Sequence, residues 1–290
     1  MKYFLIPSNT ATLILTTCAF FLQVRTVNNT KSLAIMGQGS CKYIGAEACF
    51  HSYILLLTMC CVVGLMNLNT IFYRMVSMKY QDRRLVFRKL LIFSIHYCVP
   101  LGVLIFSYIP EINMISVYNE TITQHPDYDF EPFGEFGGFA NSHSIFQTMV
   151  TLFLAALTVY APIFGYYCRR NALKILDSNM KALSEKSILQ FRTLIHGLTL
   201  QIVLPLVCYV PVAGFFVYSK YSKTDQLLFP QYFIGILSTL PSILDSMLTI
   251  YFIVPYRNAL TTIVYYRAMR QSSTETEPAA IFRKVSVFHN

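Results

Sequence analysis

Six continuous apolar runs, at about residues 3–24, 48–72, 90–109, 145–167, 194–217 and 228–256, constrain this chain more than any other feature. Each is long enough to cross a hydrocarbon layer of about 30 Å, which takes roughly 20 residues of helix. The runs are unbroken rather than alternating and far exceed the roughly ten residues of a barrel strand, so helices are expected. Composition agrees, with 54% hydrophobic and 13% charged residues and a mean hydropathy of +0.48, against roughly 25% charged in an ordinary soluble domain. That much apolar surface does not fit inside one soluble core of this size. The expected fold is all-α, a polytopic membrane helical bundle over residues 1–257. A cytoplasmic tail follows over 258–290, where a polar, proline-broken sequence predicts disorder.

Charge sets the sidedness. The connectors carry, in order, 1, 3, 6, 0, 6, 2 and 5 Lys or Arg residues, and the side that includes the N-terminus holds 18 of the 23. By the positive-inside rule that side is cytoplasmic, so both termini are inside. The formal net charge of +9 is split over separated loops, which makes it a topological signal and not a nucleic-acid footprint; the same loops face anionic lipid. The two N-x-[ST] acceptors, Asn28 and Asn119, both fall in outside loops. The long outside connector, 111–143, has no Lys or Arg but carries Glu111, Glu120, Asp127, Asp129, Glu131 and Glu135.

The first run has no cationic leader beyond Lys2 and holds Ser8, Asn9, Thr10 and Thr12, so it reads as a true span and not a cleaved signal. No internal repeat of the kind found in duplicated transporters is present. Most cysteines lie within spans as small hydrophobes. Cys41 and Cys49 instead flank the outside end of the second span, where an oxidising compartment permits a bridge; the alternative is two free thiols. The inner connectors after spans two and four are short, basic and amphipathic. They suit either a cytoplasmic docking surface or a headgroup anchor.

Ionisable groups at bilayer depth are costly and turn to the bundle interior. Asp245 stands ten residues before Pro255, about 15 Å in and close to the midplane. Ser238, Ser242, Asp245 and Thr249 form one helical stripe, and Gln201, Asn67 and Asn69 reach comparable depth on other spans. A cluster of Asn67, Gln201, Ser242 and Asp245 matches donors to acceptors without a cation. Three roles fit it: a static clasp, a two-state switch aided by Pro205 and Pro211, or a cation or proton site on a transport path. Enzyme chemistry finds little footing, since H-E-x-x-H, Walker and G-x-S-x-G motifs are all absent. No metal or cofactor is expected.

The segments "SNTATLILTTCAFFLQVR", "GQGSCKYIGAEACFHSY", "LTLQIVLP" and "LPSILDSMLTIYFIVPYRNAL" resemble the nematode serpentine chemoreceptors of the delta class, within the Str-type superfamily. The resemblance runs from about Ser8 to Arg257 and implies a seven-helix receptor of the G-protein-coupled type. In that family the "SNTA" helix is the second span, which implies that six of the seven spans are present here and that the first is missing. The second span exits as Phe72-Tyr73-Arg74, without the Asp-Arg-Tyr triplet of rhodopsin-like receptors.

The resemblance further implies an extracellular small-molecule ligand and a heterotrimeric G protein as partners, in the plasma (ciliary) membrane of sensory neurons. Arg74, Arg83, Arg84, Arg169, Arg170 and Arg257 would lie on the G-protein face. The ligand pocket is expected between the outer halves of the spans, lined by Tyr209, Phe215, Phe216, Tyr232 and Phe233. The rival from another class is a small transporter or channel subunit, and a third reading is a truncated receptor that does not signal.

Overall fold

Helix α1 (Lys2–Leu22) stops inside the apolar run that predicted a span to residue 24. Gln23 adopts a left-handed conformation, φ 43°, and its N–H bonds the Ala19 carbonyl at 2.8 Å. That contact caps the helix end and turns the chain directly into strand β1 (Val24–Asn28). In this computed structural model the described residues are 2–80, 82–178, 184–221, 228–252, 257–262 and 266.

A tight turn, in which the Asn29 N–H bonds the Ser32 carbonyl at 2.9 Å, leads into β2 (Leu33–Gly37). The third strand, β3 (Gly137–Phe139), comes from a connector about a hundred residues later and pairs antiparallel with β2, giving the order β1-β2-β3. This small sheet was not anticipated from the sequence. Its central strand is buried on both faces, as the period of two requires. Leu33 and Ile35 pack on Phe50 and Ile54 of the neighbouring helix, while Ala34 and Met36 pack under Phe133 and Phe136. Because β2 and β3 hydrogen-bond, the 25–45 and 110–144 connectors lie at one end of the bundle. Two of the three connectors assigned outside on charge are therefore physically joined.

Gly138 makes that pairing close. A Cβ there would overlap the Leu33 carbonyl oxygen, and backbone atoms have nowhere to retreat. Gly138→Ala is expected to destabilise the outer cap by about 1–3 kcal/mol, read as faster proteolysis of the 110–144 connector in intact vesicles.

Helix α2 (Ala46–Lys79) is longer at both ends than the predicted 48–72 and packs against α1, α4, α6 and α7. Asp82 caps α3 (Arg83–Phe93) by accepting the Arg84 N–H at 2.8 Å. A 3-10 turn at Ser94–Tyr97 joins α3 to α4 (Cys98–Tyr108). Pro100 has no N–H for the His96 carbonyl, and the tightened turn supplies the Cys98 N–H in its place. A short amphipathic helix, α5 (Met114–Gln124), precedes β3. Helices α6 (Ile145–Ser178), α7 (Glu185–Tyr221) and α8 (Leu228–Phe252) complete the bundle.

Among the described residues four helices are long and apolar enough to cross a membrane: Ala46–Lys79, Arg83–Tyr108, Ile145–Ser178 and Ile188–Phe215. At the first and last predicted spans lie the shorter apolar stretches Ile6–Leu22, within the 21-residue α1, and Ile243–Phe252, within the 25-residue α8, which runs up to residues 253–256, outside those described. The chain divides after Ser246 into a main unit and a second unit, Met247–Asn290. In the second, residues 247–252, 257–262 and 266 are helical, and Thr261 and Thr262 both bond the Asn258 carbonyl. Most of the predicted tail, 267–290, lies outside the described residues.

Candidate functional site

Asp245 is 7% exposed, Asn67 6% and Gln201 7%. The Asn67 Nδ2 donates to Asp245 Oδ1 at 3.2 Å, and Gln201 Nε2 donates to the Asp245 backbone carbonyl at 3.4 Å. Three of the four sequence-predicted cluster residues therefore meet, although Gln201 holds the α8 backbone and not the carboxylate. The side chain of Ser242 lies outside those described. Asn69 does not join them: two residues along a helix is about 200° of rotation, and its Nδ2 donates instead to the Tyr97 hydroxyl at 2.8 Å.

The cluster forms one wall of a cavity of about 70 Å³ enclosed by α1, α2, α6, α7 and α8. Pro162 of α6, Pro205 of α7 and Pro241 of α8 all line it. Proline removes the amide that would bond the carbonyl four residues earlier, so each of three helices is weakened at cavity level. Tyr209, eight residues beyond Gln201 and hence about 12 Å further along α7, also lines the cavity, and its hydroxyl donates to Cys60 Sγ at 3.6 Å. Of the expected aromatic lining only Tyr209 is in this wall. Phe215 is half-buried elsewhere on α7, and the side chains of Phe216, Tyr232 and Phe233 lie outside those described. Of the expected ligand lining, Tyr209 is thus the residue that shares a cavity wall with Asn67, Gln201 and Asp245.

Towards the opposite end from the sheet, the Arg74 guanidinium sits 5.8 Å from the Phe191 ring centre and so links α2 to α7. Arg83, Arg84 and Arg170 are exposed and Arg169 is half-buried. Arg257 belongs to the second unit, where it is exposed. At the sheet end, Cys41 and Cys49 are joined in a disulfide with a Cα–Cα distance of 5.1 Å. Asn119 is exposed on α5, whereas Asn28 is half-buried at the end of β1.

Two features escaped the sequence reading. Arg25, 6% exposed, lies under the outer cap with its guanidinium 5.1 Å from the Phe133 ring centre and 5.9 Å from that of Tyr128. On the α4–α6 side, His96 Nδ1 is 2.8 Å from the Phe93 carbonyl and Nε2 2.9 Å from the Tyr160 hydroxyl. A carbonyl only accepts, so Nδ1 is the nitrogen that donates to Phe93, while Nε2 pairs with the Tyr160 hydroxyl. Phe72, Phe93 and Phe164 stack beside this pair. Neither feature was legible locally, because Tyr160 and the rings around Arg25 come from distant elements.

Residues 1–262 match the family described as "Serpentine type 7TM GPCR chemoreceptor Srd". Serpentine receptor class delta-63 of Caenorhabditis elegans is 39% identical over 254 residues, covering 87% of this chain and 79% of that protein. Serpentine receptor class delta-51 of the same organism is 29% identical over 280 residues, covering 95% and 81%. No solved structure matches the chain.

Proposed function

Since the chain belongs to the Srd family of serpentine chemoreceptors, and so is a multi-pass membrane receptor, we propose that it binds an extracellular small molecule in the cavity beside Asp245 and signals to a heterotrimeric G protein. The observation that carries this reading is the convergence of three prolines, from α6, α7 and α8, on the wall that also holds the polar cluster. A ligand there touches three helices at the level where each lacks a backbone hydrogen bond, and it favours whichever arrangement it contacts best. The Arg74–Phe191 contact, about 21 Å down α7 from Pro205, is where a bend in α7 is felt at the inner surface. Arg83, Arg84, Arg169 and Arg170 supply the basic inner face that meets the G protein. Asn119, exposed and in a sequon, is the better placed glycan acceptor, and the sensory cilium is the membrane we assign.

Gly64 provides the test. It lines the cavity on α2, and a Cβ built on it meets nothing within 4 Å, so a larger side chain fills the space without pressing on the fold. With a panel of small amines, alcohols and carboxylic acids applied to cells expressing the chain, at least one compound should raise guanine-nucleotide exchange. Gly64→Leu should abolish that response while surface levels stay unchanged. A response untouched by Gly64→Leu rules out this cavity. Substrate uptake into reconstituted vesicles that disappears in Asp245→Asn would establish a transporter instead.

A further inference from the structure

The polar atoms of the cavity are unbalanced in kind. Asp245 Oδ1 accepts from Asn67, but among the described residues neither Asp245 Oδ2 nor Asn67 Oδ1 has a donor. The Tyr209 hydroxyl gives its proton to Cys60 and so presents lone pairs. Pro162 withholds the amide that would bond the Thr158 carbonyl, and Thr158 is itself in the wall. Among the described residues the lining contains no Lys, Arg or His. Among the described residues the ion pair found is Arg192–Asp177, on the exposed inner surface. A carboxylate at bilayer depth with one oxygen open and, among the described residues, no cation in its wall is costly unless a cation arrives from outside.

We propose that this cavity takes a small organic cation, a protonated primary amine with a short alkyl or cycloalkyl body, its ammonium held between Asp245 Oδ2 and Asn67 Oδ1. This rests on the ligand-binding reading above and narrows it to a chemical class. An ammonium with three N–H donors and no acceptor is the complement of an acceptor-rich, cation-free site. The remaining wall is aliphatic, formed by Leu15, Val63, Leu157, Ala161 and Leu204 among others. It fits a short hydrocarbon body better than a metal ion, which wants about six oxygen ligands.

The outer surface points the same way. The cap connector has no Lys or Arg, and Glu111, Asp127, Asp129, Glu131 and Glu135 are all exposed on it. Clustered acidic residues on the outer surface raise the local concentration of cations there.

The test uses the full chain in phosphatidylcholine nanodiscs, with thermal unfolding as the readout. Isobutylamine and cyclopentylamine are compared with isobutanol and cyclopentanol, their neutral isosteres, and with sodium chloride alone. The amines should stabilise the wild-type chain, the alcohols and sodium should not, and Asp245→Asn should weaken amine binding at least about tenfold. The wild-type comparison does not depend on the variant's folding. Protection by the alcohols or sodium equal to that by the amines, amine binding retained in Asp245→Asn, or no protection by either amine each overturns the proposal. Guanine-nucleotide exchange on the same samples separates the two readings. Amine binding without exchange sinks the signalling role and leaves the amine site standing; exchange evoked only by neutral compounds does the reverse.

Discussion

Gly165→Leu should prevent the protein from reaching the cell surface in folded form. Gly165 is buried on α6, and a Cβ built on it would stand 2.8 Å from Ile202 Cγ2 and 2.9 Å from Ile202 Cδ1. Ile202 is 4% exposed and packs with Leu65, Leu68, Ile71, Cys168 and Ile195, so its side chain has little room to turn away. Alanine forces a local shift costing about 1–3 kcal/mol. Leucine adds three further carbons to the same contact and drives α6 from α7, a loss beyond about 3 kcal/mol by the same reasoning. Small residues at a helix crossing are what permit close backbone approach in a membrane, where no hydrophobic force joins helices.

Gly64→Ala is the matched control. Its Cβ enters open space, and alanine is the better helix former by about 1 kcal/mol. It should leave thermal unfolding unchanged or raised. The two substitutions together separate a glycine needed for contact from one that merely borders a cavity. Because Ile202 follows Gln201 in the same wall, Gly165→Ala should also blunt the ligand response before it lowers surface levels.

The second large effect is expected from Cys41→Ser, Cys49→Ser and the double variant. The bridge closes a loop with a sequence separation of 8, and restricting a loop of that length in the unfolded chain contributes about 2–3 kcal/mol. The local packing depends on it as well. Both cysteines are buried with Leu22, the last residue of α1, and Gly37 of β2 lies close enough that a Cβ there would strike both sulfurs. The bridge therefore ties the end of α1, the edge of the sheet and the start of α2 into one corner. Loss of either thiol should lower surface delivery and the melting temperature. The double variant should match the single ones and not add to them, since one bond is broken in every case. Dithiothreitol applied to intact cells should reproduce the loss in the wild-type chain and change nothing in the double variant.

Parts of the site were legible because they depend on distance along one helix. A rise of about 1.5 Å per residue from a charged exit put Asn67, Gln201 and Asp245 at one level, and in the structure they are in contact. The same arithmetic gave Asn69 the correct depth but said nothing of its azimuth relative to a partner, and Asn69 bonds Tyr97 on another face. Tyr209 was read from its aromatic character, whereas its bond to Cys60 of α2 and its place in the cavity wall required the packed bundle. The sheet was invisible for a related reason. Five-residue strands such as Val24–Asn28 follow an apolar run without a break, and the partner of β2 is a three-residue Gly-Gly-Phe segment about a hundred residues on.

What the sequence by itself determined was the class of solvent. Bilayer thickness acts on each segment locally, so continuous apolar runs suffice to make this a multi-pass membrane chain. The tertiary structure alone decided which faces meet: that two outer connectors share one sheet, that Gly165 lets α6 lie against α7, and that three prolines line the cavity that holds Asp245. Those outcomes rest on contacts between residues far apart in the chain. Their energy depends on shape complementarity across an interface, which no single segment carries.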